Sequence, residues 1–346
     1  MRIMKRKISI LLAGLLFAVG FAAGCKEKGE GSSESAQNEK EITVYMPDGA
    51  PALALAGLMA EDTETDGVTY NVVPTTMIAS KVTNKDNDKN ADLCVMPVTA
   101  ASKLLGTGER YTMLGAVTHG NLYLIAKEGG AYTADNLSSL VGKTVGVLQI
   151  NEVPGLTFKT ILNKNSIPWQ EVKNDGGKVA DKVNLLAITG ADAVGTVEAD
   201  LFMIAEPAAS AQAKKGYSIV GNLQTLYGGE NGYPQAVLVA KNELVQEKSE
   251  WLKGFVAKVE EGKTWLQTAS GEGIVSAVSA HMEDSQTATS LKAPLLTQKA
   301  ISGCGIYFTY AAACSAEVEG FLNGLLAVND KAAAIPTKDF YWEYVK

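Results

Sequence analysis

The chain has 346 residues, a formal net charge of −7 and hydrophobic residues at 46% of its positions. A chain of this length usually exceeds one hydrophobic core and predicts two domains. Its acidic balance argues against nucleic acid as a partner. The two histidines, His119 and His281, lie far apart with no paired-cysteine spacing, which argues against a zinc or transition-metal site.

The N-terminus has the order of an export signal. Arg2, Lys5, Arg6 and Lys7 precede an apolar run at 8–21, which is typical of secretory signals. A single membrane helix or an ordinary cleaved signal are the alternatives, but the run is shorter than the roughly 20 residues that a membrane span needs.

The small residues directly before Cys25, in Phe21-Ala22-Ala23-Gly24, resemble a bacterial lipobox. This resemblance implies that residues 1–24 are a signal peptide. Cys25 would be linked to diacylglycerol, would become the new N-terminus when the signal peptide is removed, and would then be acylated again. Two or three acyl chains give stable anchoring. The expected location is therefore extracytoplasmic, lipid-anchored to the bacterial cell membrane.

The expected mature chain differs from the precursor in charge and begins with a flexible segment. Removal of the signal leaves 27 basic and 38 acidic side chains, and Arg110 is the only arginine after Cys25. Paired arginines that clamp a carboxylate or phosphate are thus excluded. Residues 25–40 are polar or charged apart from small residues and predict a flexible tether.

Strand-like and helix-like segments alternate from residue 41 onwards. Strands are predicted at 42–46, 70–73, 92–95, 111–117 and 121–126, and helices at 50–60, 77–83 and 98–105. A second series has strands at 144–148, 201–205, 218–222 and 235–240, helices at 153–164, 191–197 and 208–215, and an ambiguous stretch at 179–187. The pattern from residue 242 is almost wholly helical.

This alternation predicts a doubly wound α/β fold, whose ligands bind outside the carboxyl ends of the strands. That rule selects the candidate ligand-binding loops, which are 47–50, 74–76, 96–99, 149–154, 189–190 and 206–207. No G-x-S-x-G elbow, P-loop, G-x-G-x-x-G or HExxH motif occurs in the chain. We therefore predict a protein that is not an enzyme, with no catalytic residues, metal or cofactor.

Five stretches resemble one protein family when they are taken together. They are Gly49-Ala50-Pro51-Ala52, Ala91-Asp92-Leu93 leading into Met96-Pro97, the LVGKTVGVL run at 140–148, Ala199-Asp200-Leu201 leading into Ala205-Glu206-Pro207, and the tail from Ile335-Pro336 to Phe340-Tyr341. In order and spacing they are similar to the substrate-binding proteins of ABC importers, in the periplasmic binding protein type 2 group that includes sulfonate, nitrate and thiamine-precursor binders.

The resemblance implies two α/β lobes joined by a two-strand hinge, with a helical C-terminal part. Lobe 1 would comprise 41–120 and 236–346, and lobe 2 would comprise 121–235, with crossings near 118–121 and 232–236. It further implies that the lobes close on a small-molecule ligand and that an ABC permease recognises the closed form. A monomer is expected.

The candidate ligand contacts each have a structural alternative. Asp48 stands in a Pro-Asp-Gly turn. Thr75, Thr76 and Thr99 either cap helices or stand at helix N-termini whose free N–H groups bind ligand. The same choice applies to Gln149, Asn151 and Glu152. The complete set is Asp48, Gly49, Ala50, Thr75, Thr76, Pro97, Val98, Thr99, His119, Asn121, Gln149, Asn151, Glu152, Thr189, Glu206, Tyr227 and Tyr233.

Four of these candidates lie at the expected hinge, directly after a buried strand or in a glycine-rich loop. His119 is either a satisfied structural group or part of an exposed cleft wall formed by the polar 118–121 run. Glu206 is either bonded to backbone N–H groups or directed at ligand. Tyr227 and Tyr233 either move over a planar ligand or are exposed loop side chains.

The ligand class follows from the charges of these loops. Asp48, Glu152 and Glu206, without a suitable arginine, favour a neutral or cationic nitrogenous ligand of the heteroaromatic, thiamine-precursor kind. A sulfonate or nitrate-type anion held by helix N-termini is the alternative, as is a ligand-sensing lipoprotein not coupled to transport. Cys304 and Cys314 form either a disulfide or free buried thiols.

Overall fold

The computed structural model of the chain describes residues 41–62, 67–174, 176–229 and 232–346. The predicted signal peptide, the lipidated Cys25 and the tether lie outside these residues. The described residues from 41 to 346 form one compact unit, which contains both predicted lobes.

Six strands form the first sheet. They are β1 (Ile42–Pro47), β2 (Val68–Val73), β3 (Leu93–Pro97), β4 (Tyr111–His119), β11 (Pro234–Lys241) and β12 (Ile306–Tyr310). Their order across the sheet is β12-β4-β11-β3-β1-β2. Apolar side chains fill the interior positions of these strands, so that β3 is buried along almost its whole length, as a strand covered on both faces requires.

Six further strands form the second sheet. They are β5 (Leu122–Ala126), β6 (Thr144–Leu148), β7 (Trp169–Val172), β8 (Val183–Ile188), β9 (Leu201–Ala205) and β10 (Ser218–Asn222). Their order across the sheet is β10-β5-β9-β6-β8-β7. Two of them, β5 and β9, are likewise almost fully buried apolar runs. Two mixed sheets flanked by helices confirm the predicted fold class.

Helices cover the faces of both sheets. Most of their buried positions are apolar, and in the longest helix, α8, these recur at the spacing of one helix face. The helices are α1 (Ala50–Leu53), α2 (Ala56–Ala60), α3 (Val98–Leu105), α4 (Val153–Lys164), α5 (Ala208–Ala211), α6 (Leu223–Tyr227), α7 (Asn242–Glu247), α8 (Ser249–Thr268), α9 (Gly271–Ala280), α10 (Gln298–Gly303) and α11 (Ala311–Val328). Short 3₁₀ helices occupy Thr75–Lys81, Asn87–Lys89, Ala134–Leu140, Ala191–Ala193, Gln212–Lys215, Ala293–Leu295 and Lys338–Phe340.

The two sheets repeat one local arrangement at their amino ends. Asp92 accepts hydrogen bonds from the Thr43 N–H and hydroxyl, both at 3.0 Å, and Asp200 accepts one from the Thr144 N–H at 2.7 Å. Each aspartate thus joins the start of one parallel strand to the start of its neighbour. The repeated Ala-Asp-Leu sequence therefore has a structural role, at the ends of the sheets away from the candidate ligand-binding loops.

Lys241 completes the first of these arrangements as a buried ion pair. Its Nζ lies 3.0 Å from Asp92 Oδ1, and its side chain is 3% exposed. Burial alone would raise the pKa of the Asp92 carboxyl, but the Thr43 hydrogen bonds and the Lys241 charge together hold that pKa below its ordinary value.

The chain crosses between the sheets at two adjacent places. It leaves β4 at His119 and enters β5 at Leu122, and it re-enters the first sheet at Pro234. The crossings contact each other, because Pro234 pairs with His119 and the Gly120 N–H donates to the Tyr233 carbonyl at 3.1 Å. We call this pair of crossings the hinge.

Helix α11 also links the first sheet to a helix that packs on the second. It packs against β4 and against α4, and the Thr160 hydroxyl donates to the Gly324 carbonyl at 3.0 Å. By length and composition alone it is the one helix in the described ranges that could cross a membrane. Phe321, Leu322 and Leu325 are fully buried, so that part of its apolar surface serves the protein core.

The structure differs from the prediction in several elements. The helices predicted at 77–83 and 191–197 are short 3₁₀ helices, and the helix predicted at 50–60 is divided into α1 and α2. β12 interrupts the C-terminal part that was expected to be almost wholly helical, because Ile306–Tyr310 pairs with β4. The edge strand β7 and the helix α6 were not predicted. The start of α6 is set by Asn222, whose side chain accepts a hydrogen bond from the Gln224 N–H.

The three cysteines of the described residues are free and buried. The Cys314 thiol donates to the Thr309 carbonyl. Of the two arrangements that the sequence left open, the structure contains the free thiols.

Candidate functional site

The carboxyl ends of six strands define the candidate site. β1 lies between β2 and β3, and β6 lies between β8 and β9, with all of these pairs parallel. The chain runs from β1 outwards to β2 and returns past β1 to β3, and it runs from β6 to β7 and β8 and returns past β6 to β9. Such a reversal of direction opens a crevice at the carboxyl ends. The predicted loops at 48–50, 97–99, 149–152 and 206 follow these strands.

The hinge brings the two sets of strand ends together. Ala236 of β11 pairs with Pro97 at the end of β3 and with Thr118. Only four residues further along the chain than Thr118, Leu122 pairs with Ala205 at the end of β9. The carboxyl ends of β3 and β9 consequently lie on either side of the hinge, as the walls of a shared cleft require.

Most candidates on the outer loops have accessible side chains. Six of them are exposed at the ends of β2, β6 and β8, and Asp48, Gly49, Ala50 and Pro97 are partly exposed, whereas Val98 and Thr99 are buried. The exposed candidates are Thr75, Thr76, Gln149, Asn151, Glu152 and Thr189.

The helices that follow β3 and β6 have no side-chain caps, so the capping role that the sequence left open for these loops is wrong. Helix α3 begins after Pro97, and α4 begins after Glu152, and neither start has a side-chain cap. The 3₁₀ helix at Thr75–Lys81 likewise begins without one. No side chain of the described residues therefore occupies the first N–H groups of α3, at the end of β3, or of α4, at the end of β6, where Pro154 has no N–H to donate.

Asp48 is bonded to a distant part of the chain. Its carboxylate accepts hydrogen bonds from the Thr289 hydroxyl at 2.5 Å and from the Ser290 N–H at 2.6 Å. These contacts join the end of β1 to a segment 241 residues further along. The carboxylate is thus engaged within the protein.

Glu206 is also engaged. It is 4% exposed and accepts hydrogen bonds from the Ser210 N–H at 2.9 Å and the Ser210 hydroxyl at 2.5 Å, which corresponds to the structural alternative. Burial, with the Glu206 charge nearby, raises the pKa of Tyr123 and that of Cys304 to about 12. The carboxylate therefore lies among groups that stay neutral at physiological pH.

His119 and Asn121 are buried, and the expectation that the 118–121 run forms an exposed cleft wall is wrong. His119 is 1% exposed and stacks on Tyr307 with ring centroids 3.7 Å apart. Burial lowers its pKa to about 4, against a smaller opposing effect of the Gly305 carbonyl. Asn121 donates from Nδ2 to the Glu206 carbonyl at 3.2 Å. His119 faces the interior because it packs against Tyr307 of β12, and Asn121 because it packs against the chain that follows β9.

Tyr227 and Tyr233 are not mobile loop side chains, which corrects both alternatives that the sequence suggested for them. Tyr227 ends α6 and is partly buried, and Tyr233 is fully buried. Their ring centroids lie 5.5 Å apart, and that of Tyr233 lies 5.1 Å from that of Phe321 in α11. These rings instead pack α11 against the hinge.

The sequence analysis missed the segment that Asp48 holds. Thr289–Leu295, here called the bridging segment, begins at the end of β1. Its 3₁₀ turn at Ala293–Leu295 contacts α5, which starts two residues after Glu206. Next to this contact, Thr297 and Lys299 share a crevice of about 350 Å³ with residues of α5 and β10. No local pattern marks this segment, because its partners are distant in sequence.

Comparison with known proteins gives similarity in structure only. No model of a known protein family matches the chain, and no curated protein sequence is significantly similar to it. An ABC transporter structure from Parabacteroides distasonis is 19% identical with a TM-score of 0.66, and covers 88% of this chain and 99% of its own.

Two sulfonate-binding proteins have structures similar to that of this chain. The periplasmic aliphatic sulphonate binding protein of Escherichia coli is 14% identical with a TM-score of 0.61, covering 89% of this chain and 93% of its own. The alkanesulfonate-binding protein of Xanthomonas axonopodis pv. citri, bound to MOPS, is 12% identical with a TM-score of 0.52, covering 88% and 98%. The chain therefore has the fold of ABC transporter substrate-binding proteins.

Proposed function

We propose that this protein is the extracytoplasmic substrate-binding component of an ABC importer, held at the bacterial cell membrane by lipid on Cys25. The observation that carries the proposal is the meeting of strand ends from both sheets at one hinge. Lobe 1 (41–120 and 236–346) and lobe 2 (121–235) would close on a small organic molecule. The closed form would then be recognised by a permease.

The open helix starts support an anionic ligand of the sulfonate type. Two of the three carboxylates that favoured a nitrogenous ligand, Asp48 and Glu206, are bonded within the protein. The starts of α3 and α4 have no side-chain cap, and helix N-termini of this kind suit oxyanions. Two proteins of similar fold bind ligands of this class by their names, an aliphatic sulphonate binding protein and an alkanesulfonate-binding protein.

A nitrogenous, heteroaromatic ligand is the second candidate. Glu152 is exposed in the loop after β6 and supplies the negative charge that such a ligand would need. The two ligand classes would interact with this loop in opposite ways. The Glu152 carboxylate would repel a sulfonate, whereas it would bind an aminopyrimidine.

Ligand-dependent melting of the protein tests the proposal. Binding stabilises the folded protein by mass action and so raises its melting temperature. The added stability is about 2.7 kcal/mol when the ligand concentration is one hundred times the dissociation constant. We expect stabilisation by taurine and not by an aminopyrimidine. The reverse result would restore the nitrogenous ligand, and stabilisation by neither, together with no ligand found by mass spectrometry of protein from its host, would refute the proposal.

The anchor and the coupling to transport need separate tests. Cys25→Ala is expected to abolish incorporation of labelled palmitate and to release the protein from membranes. Genes for a permease and an ATPase beside this gene would support import. A neighbouring membrane kinase in their place would instead support the sensing lipoprotein.

A further inference from the structure

The bridging segment has one face inside the protein and one face outside. Thr289 and Leu291 are each 5% exposed, whereas Ser290 and Lys292 are exposed. Such alternation is what an extended backbone produces, and the backbone at Lys292 is extended, with φ −125° and ψ 114°. Ser290 and Lys292 therefore lie on one face of the segment.

Several contacts fix the segment in place. Asp48 holds Thr289 and the Ser290 N–H. Gly271, at the start of α9, allows a close approach, since a Cβ there would lie 2.4 Å from the Ala293 carbonyl oxygen. The segment is thus supported on both sides, by the end of β1 and by α9.

The Ser290 end of the exposed face lies at the candidate site. The Ser290 hydroxyl lies 3.8 Å from the position that a Cβ of Gly49 would occupy, directly over the loop that follows β1. At its other end the segment contacts α5, beside the end of β9. It therefore extends from the switch point of the first sheet to that of the second.

Lys292 has no carboxylate partner in the described parts of the chain. Its Nζ makes one long contact, at 3.4 Å, with the Thr289 carbonyl. An ammonium group without a counter-ion, on the same face of the segment as Ser290, is suited to bind an anionic group of a ligand.

We propose that the bridging segment is a third wall of the ligand site, in which the Ser290 hydroxyl and the Lys292 ammonium bind an anionic group of the ligand. Asp48 is then a positioning residue that fixes the segment and does not itself contact ligand. This inference rests on the proposed function. It names the anionic group as the feature that the protein recognises and assigns its recognition to lobe 1.

The test compares the full chain, purified in detergent, with Lys292→Gln, Ser290→Ala and the control Lys331→Gln. Lys331 is equally exposed and lies near the C-terminal end of α3, because its carbonyl contacts Lys103. The probes are taurine, nitrate and an aminopyrimidine, and the readout is the dissociation constant by titration calorimetry. Asp48→Asn is included with amide hydrogen exchange at Ser290.

We expect Lys292→Gln to weaken taurine binding roughly ten- to hundredfold and Ser290→Ala roughly two- to tenfold. Lys331→Gln should leave binding unchanged, and Asp48→Asn should accelerate exchange at Ser290. Taurine binding that is equal in Lys292→Gln and Lys331→Gln would overturn this inference and leave the proposed function intact. A wild-type protein that binds none of the three probes would contradict both.

Discussion

Gly120 lies at the first crossing of the hinge, and we predict that Gly120→Ala destabilises the protein. An added Cβ would lie 2.0 Å from Tyr233 Cζ and 2.3 Å from Gln224 Oε1. Ordinary contact between carbon atoms requires about 3.5–4 Å. The methyl group therefore fits only if the tyrosine ring or the glutamine side chain moves by more than 1 Å, on the order of the difference between these separations.

The surroundings leave little room for that movement. Tyr233 is fully buried and stacks on Phe321, and a Cβ at Gly232 would lie 2.2 Å from Gln224 Cδ. Overpacking of this kind typically costs about 1–3 kcal/mol. Replacement of a glycine also lowers the conformational entropy of the unfolded chain, which offsets about 0.4–1 kcal/mol of this cost. We expect a net loss of roughly 1–2 kcal/mol in the free energy of unfolding.

Urea unfolding monitored by tryptophan fluorescence measures this loss. Gly254→Ala is the matched control, because Gly254 is exposed in α8 with no atom within 4 Å of an added Cβ. It should gain about 0.5–1 kcal/mol from helix propensity. If Gly120→Ala were as stable as the wild type, or gained stability as the control does, the close packing at the hinge would be refuted.

Three further outcomes are expected. Because burial holds the pKa of His119 near 4, below the ordinary 6.5, the unfolded chain binds the extra proton first as pH falls. Stability should therefore drop by up to about 3 kcal/mol between pH 6.5 and pH 4, and His119→Phe, which retains a ring beside Tyr307, should show a shallower pH dependence in urea titrations. Lys241→Met should cost about 3–5 kcal/mol of unfolding free energy by leaving Asp92 buried and unpaired; the exposed Lys89→Met should change it little, and equal effects would contradict the argument. The three buried thiols should resist a thiol reagent in the native protein and react in urea, whereas mass spectrometry that finds fewer than three labels on unfolded residues 41–346 would indicate a disulfide.

The arrangement of strand ends was predictable because it depends on local patterns. Buried strands such as β9 are continuous apolar runs, and each is followed by a turn or a helix start. The rule that ligands bind at carboxyl ends then selected the loops around Asp48, Thr99 and Gln149 without knowledge of any contact. The lipobox and the tether likewise depend on local order alone, and they stay predictions.

The sequence by itself determined the alternation of strands and helices, the absence of paired arginines and the loops that follow the parallel strands. Tertiary structure alone decided which of those side chains are free. Asp48 is bonded to a segment 241 residues away, His119 is buried against β12, and Tyr233 is packed under α11. The physical reason is that periodicity records which face of an element is buried, whereas hydrogen-bond partners brought together from distant elements leave no local pattern.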